Sequence, residues 1–196
     1  MKKLIKIGLF SVALLAAVVV NASNKLSVKI ASENSKLLSV SLTEVMSGES
    51  VYIEDVAGTV LFSENLIKAD SYSKVFNLSS LPTGVYFIGS KENDKLRITP
   101  IVVNNDSVIL VKNSTKTYLA PEVTFESDVL RVAIHNQNKE EVSIEVFDES
   151  GTLLDSTESN SNALVYGSYD ISEIESKTVT ISVTEGDYNF TKEFKL

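Results

Sequence analysis

The sequence predicts an all-β protein made of two tandem antiparallel β-sandwich modules. Three observations support this prediction: apolar and polar residues alternate over many short runs, turn-forming residues separate the runs, and one pattern occurs twice. After residue 23, no stretch keeps a helical apolar period for three turns. Short alternating strands at this spacing are typical of a sandwich or a barrel.

The strands are identified by their two-residue apolar period. In each run every second side chain is apolar, so one face of the strand is suited to a core. Val85–Ile88 is apolar on both faces, which indicates a central strand. The clearest alternating runs are Leu26–Ile30, Leu38–Leu42, Leu130–Ile134 and Val179–Val183.

An internal repeat defines the predicted modules. Val51–Leu61 aligns with Ile144–Leu154, 93 residues later, and the same offset carries Asn77–Leu81 onto Asp170–Ile174. The apolar phase and the turn residues agree, which indicates duplication of one structural unit. We therefore predict modules over residues 23–113 and 114–196. Each has room for about seven strands, as in an immunoglobulin-like sandwich.

A four-residue turn is common to both modules. Asp55 precedes Gly58, and Asp148 precedes Gly151, each pair lying between two apolar runs. Aspartate at the first turn position accepts hydrogen bonds from the backbone ahead, and glycine at the fourth tolerates a positive φ. Both segments are therefore predicted to be hairpins.

A second shared feature is a pair of apolar residues three positions apart. Leu78 and Leu81 have serines between them, and Ile171 and Ile174 repeat the spacing in the second module. This spacing predicts a single helical turn or a tight bend that directs both side chains into the core.

The N-terminus predicts export. Lysines at positions 2, 3 and 6 precede an apolar run over residues 7–20, and a signal peptidase cut is predicted between Ala22 and Ser23. Residues 1–22 are thus predicted to be a signal peptide. A membrane anchor would need about 20 apolar residues, and Asn21 ends this run early. We therefore expect no stable membrane anchor and a location in the periplasm or outside a Gram-negative cell.

The composition limits how the protein can be stabilised and which partners it can bind. The chain has no cysteine, so it has neither disulfides nor a lipid-attachment site, and its stability must come from a core. The formal charge is −8, and loss of the three leader lysines makes it −11. Such a surface repels phosphate backbones, so we expect no nucleic-acid partner.

No catalytic constellation is recognisable. His135 is the single histidine and lies in phase with polar strand positions, so with no cysteine the usual zinc site cannot form within the chain. A Cys–His pair and a Gly-x-Ser-x-Gly elbow are also absent. The acidic pairs Glu140–Glu141, Asp148–Glu149 and Glu185–Asp187 fit solvated turns and do not match a calcium loop. We therefore predict a protein that is not an enzyme and holds no metal or cofactor.

The first module contains residues that carry a family resemblance. The turn of Asp55 and Gly58, followed by the segment from Asn77 to Ile88, resembles the C-terminal sorting domain of type IX secretion cargo, and Leu81, Gly84 and Tyr86 are its most specific residues. The resemblance covers about residues 51–98. It implies a small β-sandwich, a contact with secretion machinery and an origin in the Bacteroidota, where related sandwiches also occur in other small secreted proteins.

The second module departs from that pattern. Lys177 and Val179 stand where the first module has Gly84 and Tyr86. The resemblance implies a signal at the extreme C-terminus, whereas the better match lies in the first module.

Three functional hypotheses follow. The first is a non-enzymatic structural or interaction module of the cell envelope or exterior, with an envelope protein as partner. The second is type IX cargo in which residues 114–196 are a sorting signal. The third is a glycan-binding module that uses aromatic side chains, although the chain has no tryptophan. Its candidate tyrosines are Tyr52, Tyr72, Tyr118, Tyr166, Tyr169 and Tyr188.

Overall fold

The computed structural model describes residues 26–196. The predicted signal peptide and its cut between Ala22 and Ser23 lie outside the described residues. Within them the chain forms sixteen β-strands and no helix, so the all-β class is confirmed. The strands are β1 (Leu26–Ile30), β2 (Leu37–Val45), β3 (Ser50–Asp55), β4 (Val60–Asn65), β5 (Ala69–Asn77), β6 (Gly84–Lys91), β7 (Lys95–Val103), β8 (Val108–Leu110), β9 (Lys116–Leu119), β10 (Glu122–Glu126), β11 (Val129–His135), β12 (Glu141–Phe147), β13 (Leu153–Asn160), β14 (Leu164–Asp170), β15 (Thr178–Glu185) and β16 (Tyr188–Lys195).

The described chain divides into two compact units, residues 26–117 and residues 118–196. The division lies after Thr117, slightly beyond the predicted module start at Ser114. Residues 108–110 form β8, which extends the sheet of the first unit by pairing with β7. This strand lies within the predicted bounds of the first module, residues 23–113.

The first unit is a sandwich of two antiparallel sheets. One sheet has the order β1-β2-β5, and the other has the order β4-β3-β6-β7-β8, with β9 also paired to β7. Leu38 and Leu42 from the first sheet share one core with Ile88 and Ile101 from the second, and all four are fully buried. Burial of each such side chain stabilises the fold by about 1.5–3 kcal/mol.

The second unit has the same arrangement with seven strands. Its sheets have the orders β10-β11-β14 and β13-β12-β15-β16. Leu130 and Ile134 pack with Ile144 and Ile181 in a core of their own.

The strand registers of the two units coincide at the offset of the sequence repeat. Ile53 of β3 pairs with Ile88 of β6, and Val146 of β12 pairs with Ile181 of β15. A β-bulge follows Ile53 in the first hairpin and Val146 in the second. Equivalent residues therefore occupy equivalent places in both sandwiches.

A buried polar side chain fixes the loop after the second strand of each unit. In the second unit the fully buried Asn136 donates to the carbonyl oxygens of Glu140 (2.7 Å) and Asn162 (2.9 Å) and accepts from the Glu140 amide (3.0 Å). In the first unit the carboxylate of the buried Glu49 accepts from the Met46 amide at 3.2 Å. These bonds satisfy backbone groups that the loops would otherwise bury without a partner.

Candidate functional site

The motif residues predicted from the repeat form turns at the tip of the β3–β4 and β12–β13 hairpins. Asp55 Oδ1 accepts from the amides of Ala57 and Thr59, both at 2.9 Å. The Gly58 amide donates to the Asp55 carbonyl oxygen at 3.0 Å, and Gly58 has a φ of +77°, as the predicted turn requires.

Asp148 repeats this geometry in the second unit. Its Oδ1 accepts from the amides of Ser150 and Thr152, both at 2.8 Å, and Gly151 has a φ of +80°. The Ser150 hydroxyl adds a 2.6 Å bond, and it is the main reason why the pKa of Asp148 lies below its usual value. Both carboxylates thus accept hydrogen bonds from the amides of their own turns.

The predicted bends between β5 and β6 and between β14 and β15 are also present. The amide of Leu81 donates to the carbonyl of Leu78 at 3.0 Å, and that of Ile174 donates to the carbonyl of Ile171 at 3.1 Å. Asn77 Oδ1 accepts from the backbone two residues ahead at 3.0 Å. Leu78 and Ile171 are buried, so each bend places an apolar side chain in its core.

Tyr86 links the start of β6 to the turn that precedes it. The buried Tyr86 donates its hydroxyl to the Pro82 carbonyl at 3.0 Å, four residues upstream. This is the geometry of the tyrosine corner in immunoglobulin-like sandwiches. A Cβ at Gly84 would lie 3.6 Å from the Tyr86 ring. Val179 has no hydroxyl, so the second unit lacks this bond.

A cluster of charged and aromatic side chains lies between the edge strands β4 and β5 of the first unit. The sequence analysis did not predict it. Lys74 Nζ lies 2.7 Å from Glu64 Oε2, and it is 4.5 Å above the Phe62 ring and 5.6 Å from the Phe76 ring. The two rings meet edge to face at 4.9 Å, and Tyr72 donates to Glu64 at 3.1 Å. The hydrogen bond from Lys74 is the main cause of the lowered pKa of Glu64.

Acidic and aromatic residues meet at one end of the second unit. The Tyr118 hydroxyl donates to Glu140 Oε2 at 3.2 Å, and its ring stacks on Tyr188 at 5.0 Å. Asn138 donates to Oε1 of Glu185 at 3.1 Å; Glu185 is buried at the end of β15, so its predicted place in a solvated turn is wrong. Burial, followed by the charge of Glu185, raises the pKa of Tyr188. Within residues 26–196, no group of three or more histidine, aspartate or glutamate side chains is arranged to hold a metal ion.

His135 lies at the end of β11 on the face that points away from the core. Its side chain is 43% exposed, and Nε2 is 3.6 Å from Glu122 Oε1. The neighbouring Ile134 is buried, in agreement with the predicted alternation.

The candidate tyrosines do not form one aromatic platform within either unit. In the first unit Tyr72 binds Glu64, whereas Tyr52 lies on the outer face of the six-stranded sheet, over Gly89. In the second unit Tyr169 is buried and donates to Thr157 at 3.0 Å. Tyr166 is 65% exposed on the outer face of the three-stranded sheet.

The fold and the motif geometry define an all-β protein of two sandwich units, the first with the Leu81, Gly84 and Tyr86 motif. Residues 17–104 match the family model described as "Secretion system C-terminal sorting domain". The resemblance seen in residues 51–98 is therefore confirmed over a longer segment, which is still less than half of the 196 residues.

Solved structures give distant similarity over most of the chain. The BSP domain of a biofilm-associated protein has a TM-score of 0.30 at 13% identity; the match covers 88% of this chain but only 29% of that one. A fragment of Escherichia coli α2-macroglobulin spanning domains NIE–MG1 has a TM-score of 0.28 at 11% identity, covering 88% and 97%. Tp47, the 47-kilodalton lipoprotein of Treponema pallidum, has a TM-score of 0.27 at 13% identity, covering 86% and 48%. No protein of curated function matches the sequence.

The hydroxyl of Tyr86 provides a testable stabilising contact. Tyr86→Phe removes only the bond to Pro82, and we expect a loss of about 1 kcal/mol in the free energy of unfolding because a partly buried hydrogen bond is lost. Urea denaturation followed by circular dichroism measures this change. Tyr166→Phe, at an exposed position, is the matched control and should leave stability unchanged; equal effects of the two variants would contradict the assignment.

The contact between Tyr52 and Gly89 gives a second prediction. A Cβ at Gly89 would come within 2.0 Å of Tyr52 Cζ, so Gly89→Ala should displace the ring and cost about 1–3 kcal/mol in urea denaturation. Gly84→Ala, where the added Cβ makes an ordinary contact, should be neutral or slightly stabilising.

The double variant Tyr52→Ala/Gly89→Ala isolates the clash. It should be no less stable than Tyr52→Ala alone, because the ring is already gone. An additive cost in the double variant would show that Gly89 is needed for a different reason.

Proposed function

We propose that this chain is an exported, non-enzymatic protein that acts as an interaction or structural module in the cell envelope or outside the cell. The observation that carries the proposal is the match of residues 17–104 to a secretion sorting domain. The described part of that segment folds as most of one sandwich with its own core. No helix within residues 26–196 is long and apolar enough to cross a bilayer.

We further propose that both units are immunoglobulin-like modules produced by duplication. The first seven strands of each unit support this proposal because they pair in the same way. Strands one, two and five form one sheet, strands four, three, six and seven form the other, and β8 and β9 add to the second sheet in the first unit only. In the constant-type immunoglobulin fold the fourth strand lies in the other sheet. The shared register and the shared bulge support a common ancestor for the two units.

The side-chain contacts support a role other than catalysis. The carboxylates of Asp55 and Asp148 are used by their turns, Glu64 is paired with Lys74, and His135 is exposed beside Glu122. General acid–base chemistry needs a titratable group directed at a bound substrate, and these groups contact the amides of their own turns or side chains on another strand of the same unit.

A second candidate role is recognition by the secretion machinery, and the family match favours it. Residues 26–117 contain Gly84 and Tyr86, whereas residues 118–196 have Lys177 and Val179 at the equivalent positions. We therefore propose that the first unit carries the recognised features, although the sequence also allows the C-terminal module to be the signal.

Export is tested by locating the protein after expression in a Gram-negative host that has a type IX system. The protein should be found in the periplasm or the medium, and N-terminal sequencing of that material should begin at Ser23. Protein that stays in the cytoplasm with residue 1 retained would overturn the proposal.

The sorting role is tested by two fusions to a reporter with its own signal peptide. One fusion carries residues 26–117 and the other carries residues 118–196; each unit has a separate core, so each is expected to fold. We expect the first fusion alone to reach the medium, and only in cells with an intact type IX system. Secretion of the second fusion instead would assign the signal to the C-terminal unit, and retention of both in the periplasm would end the sorting proposal while leaving export intact.

A further inference from the structure

The family-motif residues lie at one end of the first unit. Asp55 at the end of β3 pairs with Tyr86 near the start of β6, so the β3–β4 turn and the entry into β6 are neighbours. In the smaller sheet Asn77, the last residue of β5, pairs with Leu37, the first residue of β2. The connection from β5 to β6 therefore joins the two sheets at this end. We call it the motif end, and it consists of residues 31–36, 56–59, 78–83 and 104–107.

Hydrogen bonds between the connections hold the motif end together. The Leu78 amide donates to the Lys36 carbonyl oxygen at 2.8 Å, and Lys36 Nζ donates to the Leu81 carbonyl oxygen at 3.4 Å. The Thr83 hydroxyl donates to Asn105 Oδ1 at 3.0 Å. Three separate connections thus form one surface whose shape is set before a partner binds, which lowers the entropy cost of binding.

The second unit has carboxylates where the motif end is uncharged. Three exposed positions of the motif end are uncharged, whereas all three equivalent positions of the second unit are exposed glutamates. The pairs at the offset of 93 residues are Val56 and Glu149, Ser80 and Glu173, and Pro82 and Glu175. Both units have the same turn and the same bend here, so the fold accepts either type of residue. The difference therefore concerns what each unit presents to solvent or to a partner.

We propose that the motif end is the surface by which the secretion machinery recognises this chain, and that it contacts an uncharged protein surface. This role rests on the sorting function proposed above for the first unit. Residues 17–104, which match the sorting-domain family, include three of the four connections in full. Buried residues such as Tyr86 fix the framework. The contact is made by exposed side chains that this framework positions, above all Val56, Ser80 and Pro82.

The charge difference explains why the machinery would select the first unit. A carboxylate pressed against an uncharged surface loses its water without gaining a partner, and this desolvation is costly. The glutamates of the second unit would therefore prevent its equivalent end from binding at the same place. Specificity between two similar modules often depends on such an unfavourable contact in the wrong one.

Carboxylates taken from the second unit test this role. Val56→Glu, Ser80→Glu and Pro82→Glu are combined in the full chain and expressed in a Gram-negative host with a type IX system. We expect the amount of protein in the medium to fall at least about tenfold relative to wild type, with the variant left in the periplasm. Urea denaturation of the periplasmic protein should give the wild-type midpoint, because the second unit has glutamate at all three equivalent positions.

The same charge at the opposite end of the first unit is the matched control. Ser47, Ile67 and Asn93 are exposed and lie in the connections β2–β3, β4–β5 and β6–β7. The triple variant Ser47→Glu/Ile67→Glu/Asn93→Glu should reach the medium as well as the wild-type chain does. Equal losses in the two triple variants would overturn the proposal, because the added charge alone would then be the cause.

Glutamine at the three motif-end positions keeps the size of the added side chain and removes its charge. Val56→Gln/Ser80→Gln/Pro82→Gln should therefore reach the medium, and its retention would overturn the assignment of an uncharged partner surface. Export of the folded glutamate variant at the wild-type level would overturn the proposal while leaving the sorting role intact. A wild-type chain that stays in the periplasm would overturn the sorting role and the proposal with it. If the triple glutamate variant fails to fold, the single variant Ser80→Glu provides the same test.

Discussion

Both units depend on one constraint: each sheet must bury one face against its partner sheet. The chain has no disulfide to replace that burial, since it contains no cysteine. Residues such as Leu38 and Ile88 in the first unit, and Leu130 and Ile181 in the second, are fully buried where the two sheets meet. A register slip of one residue would expose a whole apolar row, so the core also fixes which residues face outward.

The motif residues stabilise the two packed sheets of each unit. Asp55 and Asp148 close hairpins, Leu78 and Ile171 pack bends into the cores, and the hydroxyl of Tyr86 fixes the start of β6. The residues that carry the family resemblance therefore act mainly in stabilising the sandwich. The two units also differ on the outer face of the larger sheet. Strand β6 of the first unit has Val85 and Phe87 at outward positions, where β15 of the second unit has Thr178 and Thr180.

Local features were predictable because they depend on residues close together in the chain. Alternation located the strands, and the spacing of Asp55 and Gly58 gave the turn. The cluster of Phe62, Lys74 and Phe76 was not predictable, because it joins edges of two different sheets that no sequence period relates. The proposed function rests on the family match of residues 17–104.

The sequence alone determined the all-β class, the repeat and the turns. It could not decide which face of Val85–Ile88 is the core, because that strand is apolar on both sides. Only the tertiary structure did so, by pairing Ile88 with Ile53 above the core and leaving Phe87 on the outer face beside Pro100. A two-residue period gives alternation but no direction, and the direction is set when a second sheet covers one side.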